Sequence, residues 1–277
     1  MAAPTRPSER VLDLFAVPDD VRPLPGGQGA SVVAGDLVLS PGRDAATASW
    51  LCPPVARMAV GLDLRPRRSL RLAMPVPARD GEWVVDGWAA SRYEPDTTAC
   101  TDLDVLVATG RLLHAELAVA FPTRPAGLDQ RTDRWAEAER IAFATPAEIR
   151  SAATPDDPRS NLLAVAADVV EAVGDVRLGD DQLVHGDLAG NVLLDASGTP
   201  VVIDLAPYWR PPLWAEAVCV LDAVLWLGAD VRALADWSHG IPALALARAV
   251  TFRLLSDGPR ADVDRYAAVL AHAWPSP

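Results

Sequence analysis

Apolar positions come in short, β-like runs over the first third of the chain and at helical spacing over most of the rest. Ser8-Glu9-Arg10 leading into Val11-Leu12-Asp13-Leu14-Phe15 carries a helix-start signal. Leu24-Pro25-Gly26-Gly27-Gln28-Gly29 is a glycine-rich turn, and residues 31–34 and 37–40 around Gly35-Asp36 predict a hairpin. A helix is expected from about Asp44, broken at Pro53-Pro54 because proline lacks the N–H that an interior helical position needs. Residues 69–76 and 82–85, about the turn Arg79-Asp80-Gly81, predict strands, and 87–93 a further one.

After Pro95 the period changes. Residues 103–120, 134–143 and 161–173 repeat apolar positions at helical spacing. A short β island interrupts them at 183–185, 192–195 and 201–205, with Asp195-Ala196-Ser197-Gly198 as the turn between the last two. The remainder, 213–274, predicts helices separated by Pro242 and by Asp257-Gly258-Pro259. The pattern therefore predicts an α+β protein with a change of character near Tyr93-Glu94-Pro95.

Composition narrows the partners. The chain of 277 residues is 50% apolar, enough to bury a sizeable core. The longest apolar run, 214–227, is interrupted by Glu216 and Asp222, and residues 1–10 lack an apolar signal-peptide stretch. Neither a membrane span nor a leader is expected. Cys52, Cys100 and Cys219 are widely spaced and form no CxxC pair, which reads as reduced thiols of a cytoplasmic protein. The net charge of −12 repels phosphate backbones and so argues against nucleic acid as a partner. It serves plain solubility first, and would also suit a cationic small molecule. Every one of the 25 basic residues is Arg, so no ammonium side chain exists.

The chemistry is concentrated in Leu183-Val184-His185-Gly186-Asp187-Leu188-Ala189-Gly190-Asn191-Val192-Leu193-Leu194-Asp195, followed by Val201-Val202-Ile203-Asp204-Leu205. An apolar strand ends in His-Gly-Asp, a tight loop delivers Asn191, and a returning strand ends in Asp204. Phosphoryl transfer needs one carboxylate to orient or deprotonate the attacking hydroxyl, and an Asn oxygen with a second carboxylate to hold Mg²⁺ against a triphosphate. Asp187 and Asn191 are open to a plainer reading as loop caps, and Asp195 is a turn residue. His185 reads as a holder of the loop by hydrogen bonding.

His185-Gly186-Asp187-Leu188, Asn191 and Ile203-Asp204 resemble the catalytic loop and metal-binding strand of aminoglycoside phosphotransferases and related small-molecule kinases. Leu24-Pro25-Gly26-Gly27-Gln28-Gly29, Asp86-Gly87-Trp88, Arg134-Trp135 and the run from Asp204 to Pro212 are similar to an actinobacterial branch of that superfamily. The resemblance implies a two-lobed kinase-like fold, with a small antiparallel-sheet lobe over 1–93 and a larger helical lobe over 94–277. It implies Asp187 as catalytic base, Asn191 and Asp204 as Mg²⁺ ligands, and ATP or GTP as phosphoryl donor. The nucleotide would lie between the lobes, its base near Tyr93, with the backbone of Gly26, Gly27 and Gly29 facing the phosphates. The acceptor would be a small-molecule hydroxyl, and Glu216, Asp222, Asp230 and Asp236 would suit a cationic one.

Three departures from the family pattern stand out. The loop from Asp187 to Asn191 is one residue shorter than usual. Ser40 lies near the place of the family's phosphate-binding lysine, and the helix that should supply its glutamate partner opens Ala45-Ala46-Thr47-Ala48-Ser49-Trp50, without an acid. Losing both is electrostatically consistent, since losing the lysine alone would strand a carboxylate. Arg43 or Arg92 could take over the phosphates. The alternative is a degenerate, non-catalytic binding or regulatory protein on a kinase scaffold.

Overall fold

The computed structural model describes residues 6–24 and 30–274, so Gly26, Gly27 and Gly29 lie outside the described residues. Helix α1 (Glu9–Leu14) starts at Ser8, whose hydroxyl accepts from the Val11 N–H. It packs Val11, Leu12 and Phe15 onto an antiparallel sheet. The strands of that sheet come from β1 (Val21–Pro23), β2 (Val32–Ala34) and β3 (Leu37–Ser40). Helix α2 (Ala45–Asp63) follows, capped by Asp44, and then β4 (Arg71–Leu72), β5 (Pro75–Val76), β6 (Val84–Val85) and β7 (Trp88–Arg92). The order is β1-β2-β3-β7-β5, with β6 also on β7.

Two expectations are corrected here. Helix α2 runs straight through Pro53 and Pro54. An interior proline costs about 3 kcal/mol. Leu51, Val55, Ala59 and Leu62 form one buried stripe of the same helix. Burying a Leu or Val contributes about 1.5–3 kcal/mol each, so Leu51, Val55 and Leu62 together are of the same size as the cost of the two prolines and can offset it. The expected strand over 69–76 is split. β5 pairs with β7, whereas β4 leaves the sheet and runs parallel to a strand of the later β island. Arg71 in β4 is nearly buried and reaches Asp63 at 3.0 Å, Glu94 at 2.9 Å and Asp195 at 3.8 Å, which ties α2, the segment after β7 and the later hairpin together.

Beyond Pro95 come β8 (Thr98–Ala99), α3 (Leu103–Ala120), α4 (Arg134–Ala142), α5 (Pro146–Ser151) and α6 (Ser160–Val173). The β island is β9 (Gln182–His185), β10 (Val192–Leu194), β11 (Pro200–Val202) and β12 (Pro207–Arg210). The third strand of the island thus ends at Val202, short of the expected Leu205. Strands β4, β11, β10 and β8 form one small sheet, and β12 pairs antiparallel with β9 in another. The proline-framed β12 was not expected from the pattern; Pro207 is tolerated because it opens an edge strand.

Helices α7 (Pro212–Trp226), α8 (Gly240–Asp257) and α9 (Val263–Ala273) complete the chain. Pro242 does not separate helices: it sits in the first turn of α8, where a missing N–H goes unnoticed. α7 and α8 are apolar on nearly every side, as helices at the centre of a bundle must be. Tyr208, Trp214 and Phe252 meet edge to face between them, with ring centroids 5.3–5.5 Å apart. The architecture is α+β, a sheet region followed by a helical region. Among the described residues no helix is long and apolar enough to cross a membrane.

Candidate active site

Strand β9 carries His185 to the end of the buried β9–β12 pair, and the chain turns there through Gly186. A Cβ on Gly186 would lie 2.4 Å from the Tyr208 ring, so only glycine fits between this strand end and the aromatic cluster. His185 is fully buried. Its Nδ1 accepts from the Asp187 N–H at 3.1 Å, and its own N–H donates to His114 Nε2 at 3.2 Å. An accepting Nδ1 leaves the ring proton on Nε2, which is buried without a hydrogen-bond partner among the described residues. Burial and the neighbouring His185 push His114 down to about 3. Burial likewise lowers His185, although Asp187 and Asp204 pull it the other way. Two neutral imidazoles thus form the floor of the loop, and His185 is a holder of the backbone.

The loop closes on itself. The Asn191 N–H donates to the Leu188 carbonyl at 2.9 Å, and Gly190 takes φ +87°, a left-handed value that glycine adopts without strain. Leu188 is buried and anchors the turn in the core. The Asn191 amide returns to Asp187, donating to its carbonyl at 2.6 Å and to Oδ2 at 3.3 Å. A four-residue spacing therefore suffices to bring these two side chains together.

Asp204 is placed by the hairpin. The Ile203 N–H donates to the Asn191 carbonyl at 2.9 Å, so the residue following Ile203 emerges beside the loop. Asp204 has φ +48°, an uncommon value for a non-glycine residue and one that clusters at functional sites. Its Oδ1 accepts from Arg43 Nη1 at 2.5 Å. Burial raises the Asp204 carboxyl, but the Arg43 hydrogen bond and charge outweigh that and leave it below its ordinary value. Arg43 comes from the other end of the chain, between β3 and α2, where its N–H is tied to the Gly87 carbonyl at 2.9 Å.

A second guanidinium enters from below. Arg253 of α8, with only 9% of its side chain exposed, donates to Asp187 Oδ1 at 2.6 Å. Its Nε donates to Asp222 Oδ1 at 2.8 Å, and its Nη2 also bonds the other Asp222 oxygen. Burial raises the Asp222 carboxyl above its ordinary value while Arg253 opposes it.

The structure thus brings Arg43, Asp187, Asn191 and Asp204 together. Ser40 stays at the end of β3, its Oγ sharing a hydrogen bond with Ser31 at 2.9 Å, and has no hydrogen bond to the cluster. Tyr93 follows β7, half-buried, with its N–H on the Asp36 carbonyl at 2.8 Å. Arg92 is exposed. The acids proposed for a cationic acceptor are largely engaged: Glu216 with Arg111 at 2.7 Å, Asp230 with Arg232, Asp222 with Arg253. Asp236 is exposed. Sequence reasoning did not find Arg253. Its signal was available as one of two arginines, with Arg248, inside the otherwise largely apolar run 243–255.

Asn191 Oδ1 and Asp204 Oδ2 accept no hydrogen bond among the described residues. Two hard oxygen donors on hydrogen-bonded neighbouring segments fit Mg²⁺, which uses few protein ligands and keeps waters or phosphate oxygens. No cluster of three His, Cys, Asp or Glu able to hold a metal occurs among the described residues.

No protein-family model matches the sequence, and no curated protein matches it. Solved structures do. An aminoglycoside phosphotransferase from Alicyclobacillus acidocaldarius aligns with a TM-score of 0.55 at 15% identity, over 99% of this chain and 94% of that one. Choline kinase LicA from Streptococcus pneumoniae aligns with a TM-score of 0.54 at 13% identity, over 96% of each chain. The likeness establishes the fold, that of the kinase-like small-molecule phosphotransferases. It agrees with the resemblance carried by the His-Gly-Asp loop.

Proposed function

We propose that the protein transfers the γ-phosphoryl group of ATP or GTP to a hydroxyl of a small molecule, with Arg43 in the place of the absent lysine. The observation that carries this reading is the Arg43–Asp204 contact, which sets a cation from the sheet region against the carboxylate assigned to the metal. A triphosphate entering there would meet the guanidinium, whose planar fork suits phosphate oxygens. Asn191 and Asp204 would hold Mg²⁺, which when bound offsets the charge of the triphosphate.

Asp187 orients the acceptor hydroxyl. Its Oδ1 is taken by Arg253 at 2.6 Å, while Oδ2 holds only the weaker 3.3 Å contact from the Asn191 amide and is the atom that accepts the hydroxyl proton. The hydroxyl oxygen forms the new bond to the γ-phosphorus as the bond to the β–γ bridging oxygen breaks, and the nucleoside diphosphate leaves. The lobe division at about residue 93, the glycine turn over the phosphates and the base near Tyr93 belong to the same reading. So do the actinobacterial branch, suggested by the motif around Asp204, and the cytoplasm, in keeping with three unpaired thiols.

Calorimetric titration with ATP and with GTP, each with Mg²⁺ or with EDTA, tests the reading. Binding of one nucleotide that requires Mg²⁺ and weakens in Arg43→Ala supports it; no binding of either overturns it. A second reading, a non-catalytic kinase-fold binding protein, is favoured by one observation: both key carboxylates are held by arginines in the ligand-free chain. Metal-dependent binding without any phosphate transfer would select it.

A further inference from the structure

Arg253, with Asp222 one of the two most deeply buried charges at this site, is used in the reaction scheme only as the partner of Asp187 Oδ1. It lies in α8 among Val250, Phe252 and Leu254, all essentially buried. Asp222, on α7, is its other partner and is 4% exposed. An interior ion pair gains little stability over apolar side chains of similar volume, because both charges must be stripped of water. A stability role alone thus leaves unexplained why a guanidinium stands here.

The geometry supplies another role. Asp222 takes the Nε edge and the Nη2 of Arg253, which fixes the plane of the guanidinium. That same Nη2 reaches Asp187 Oδ1 at 2.6 Å, and the Gly186 carbonyl lies at 3.4 Å. From the opposite side the Asn191 amide approaches Oδ2 at 3.3 Å. The Asp187 carboxylate is thereby held at both oxygens, firmly from the core and weakly from the loop. Its side chain is still 49% exposed toward solvent. A half-exposed aspartate is ordinarily free to change rotamer; this one is tethered.

We propose that Arg253, braced by Asp222, is a positioning residue that holds the Asp187 carboxylate with Oδ2 turned to the acceptor hydroxyl. The proposal rests on the phosphotransferase reading for its consequence in turnover, but the tether itself does not depend on that reading. Misplacing a reacting group by about 1 Å can cost on the order of 10²-fold in rate, and that is the loss expected when the tether is cut.

Two measurements test it. The first is the nitrogen NMR spectrum of arginine side chains in the full chain. The Arg253 Nη signals should shift in Asp187→Asn and stay in place in Asp204→Asn; signals indifferent to Asp187→Asn overturn the tether. The second uses the double variant Arg253→Met with Asp222→Leu, which replaces the pair by apolar side chains of similar size. With Mg²⁺·ATP or Mg²⁺·GTP and water as phosphate acceptor, the folded variant should keep the nucleotide KM within about two-fold and lose about 10²-fold in kcat. Wild-type kcat in that variant makes the pair a mere clamp between α7 and α8 and overturns the proposal. Should the double variant not fold, Arg253→Lys replaces it. A lysine has no Nε–H to lock its head group against Asp222, so the tether loosens, the same split is expected, and an unchanged kcat again overturns the idea. If the wild-type chain turns over neither nucleotide, the phosphotransferase reading fails, and the NMR response alone decides whether Arg253 holds Asp187.

Discussion

Arg43 Nη1 stands 2.5 Å from Asp204 Oδ1, joining residues 161 positions apart in the chain. The contact links the segment between β3 and α2 to the residue that follows the β10–β11 hairpin. Both side chains remain partly exposed, at 37% and 46%. Such a pair contributes about 0–1 kcal/mol in water. Arg43→Ala should therefore leave the melting temperature of the free protein nearly unchanged while weakening ATP or GTP binding in calorimetry. A large loss of stability with unchanged affinity would make the contact structural.

Asp204→Ala removes one of the two oxygen donors assigned to Mg²⁺. Stabilisation by nucleotide follows mass action, about 2.7 kcal/mol at a concentration 100 times Kd. Thermal shift with ATP or GTP should show that gain only with Mg²⁺ and only in the wild-type chain. An equal shift in EDTA, or in the variant, removes Asp204 from the metal site.

Asp187→Asn keeps the shape of the side chain and loses the proton acceptor. Nucleotide binding should persist while phosphate transfer falls by on the order of 10²–10⁴-fold, the usual contribution of a positioned acid–base group. Undiminished phosphate release in the variant would take that role away from Asp187.

Gly186→Ala tests the close approach at the strand end. A methyl there would meet two Tyr208 ring carbons at 2.4 and 2.5 Å. The ring is packed against Trp214 and Phe252 and has little room to yield. Overpacking of this kind typically costs about 1–3 kcal/mol, visible as a lower urea midpoint. A variant with the wild-type midpoint would show that the aromatic cluster can move.

His114 sets a pH dependence of stability. Its folded value, about 3, lies below its ordinary 6.5, chiefly through burial. Between those values the unfolded chain binds a proton that the folded chain refuses. The stabilising contribution is complete above about pH 6.5 and is lost as the pH falls toward 3, at up to about 1.4 kcal/mol per pH unit. Urea melts at pH 7.5 and 5.5 should show the loss, and His114→Gln should reduce it. A variant with an undiminished pH slope would assign the effect to other groups.

The sequence by itself determined the local frame of the site. The strand ending in His185-Gly186-Asp187, the turn to Asn191 and the hairpin delivering Asp204 are short-range features. Alternation and turn residues encode them over a few neighbouring positions. Helix α3 was legible at both ends for the same reason, with Asp102 as its cap. The tertiary structure decided what lies between distant segments. Charge pairs such as Arg43–Asp204 and Arg253–Asp187 leave no periodic trace, because each partner only completes a geometry set by the backbone of the other. The departure of β4 into the sheet beside β11, and the passage of α2 through two prolines, were likewise settled by burial. There a local rule worth a few kcal/mol met a buried face large enough to offset it.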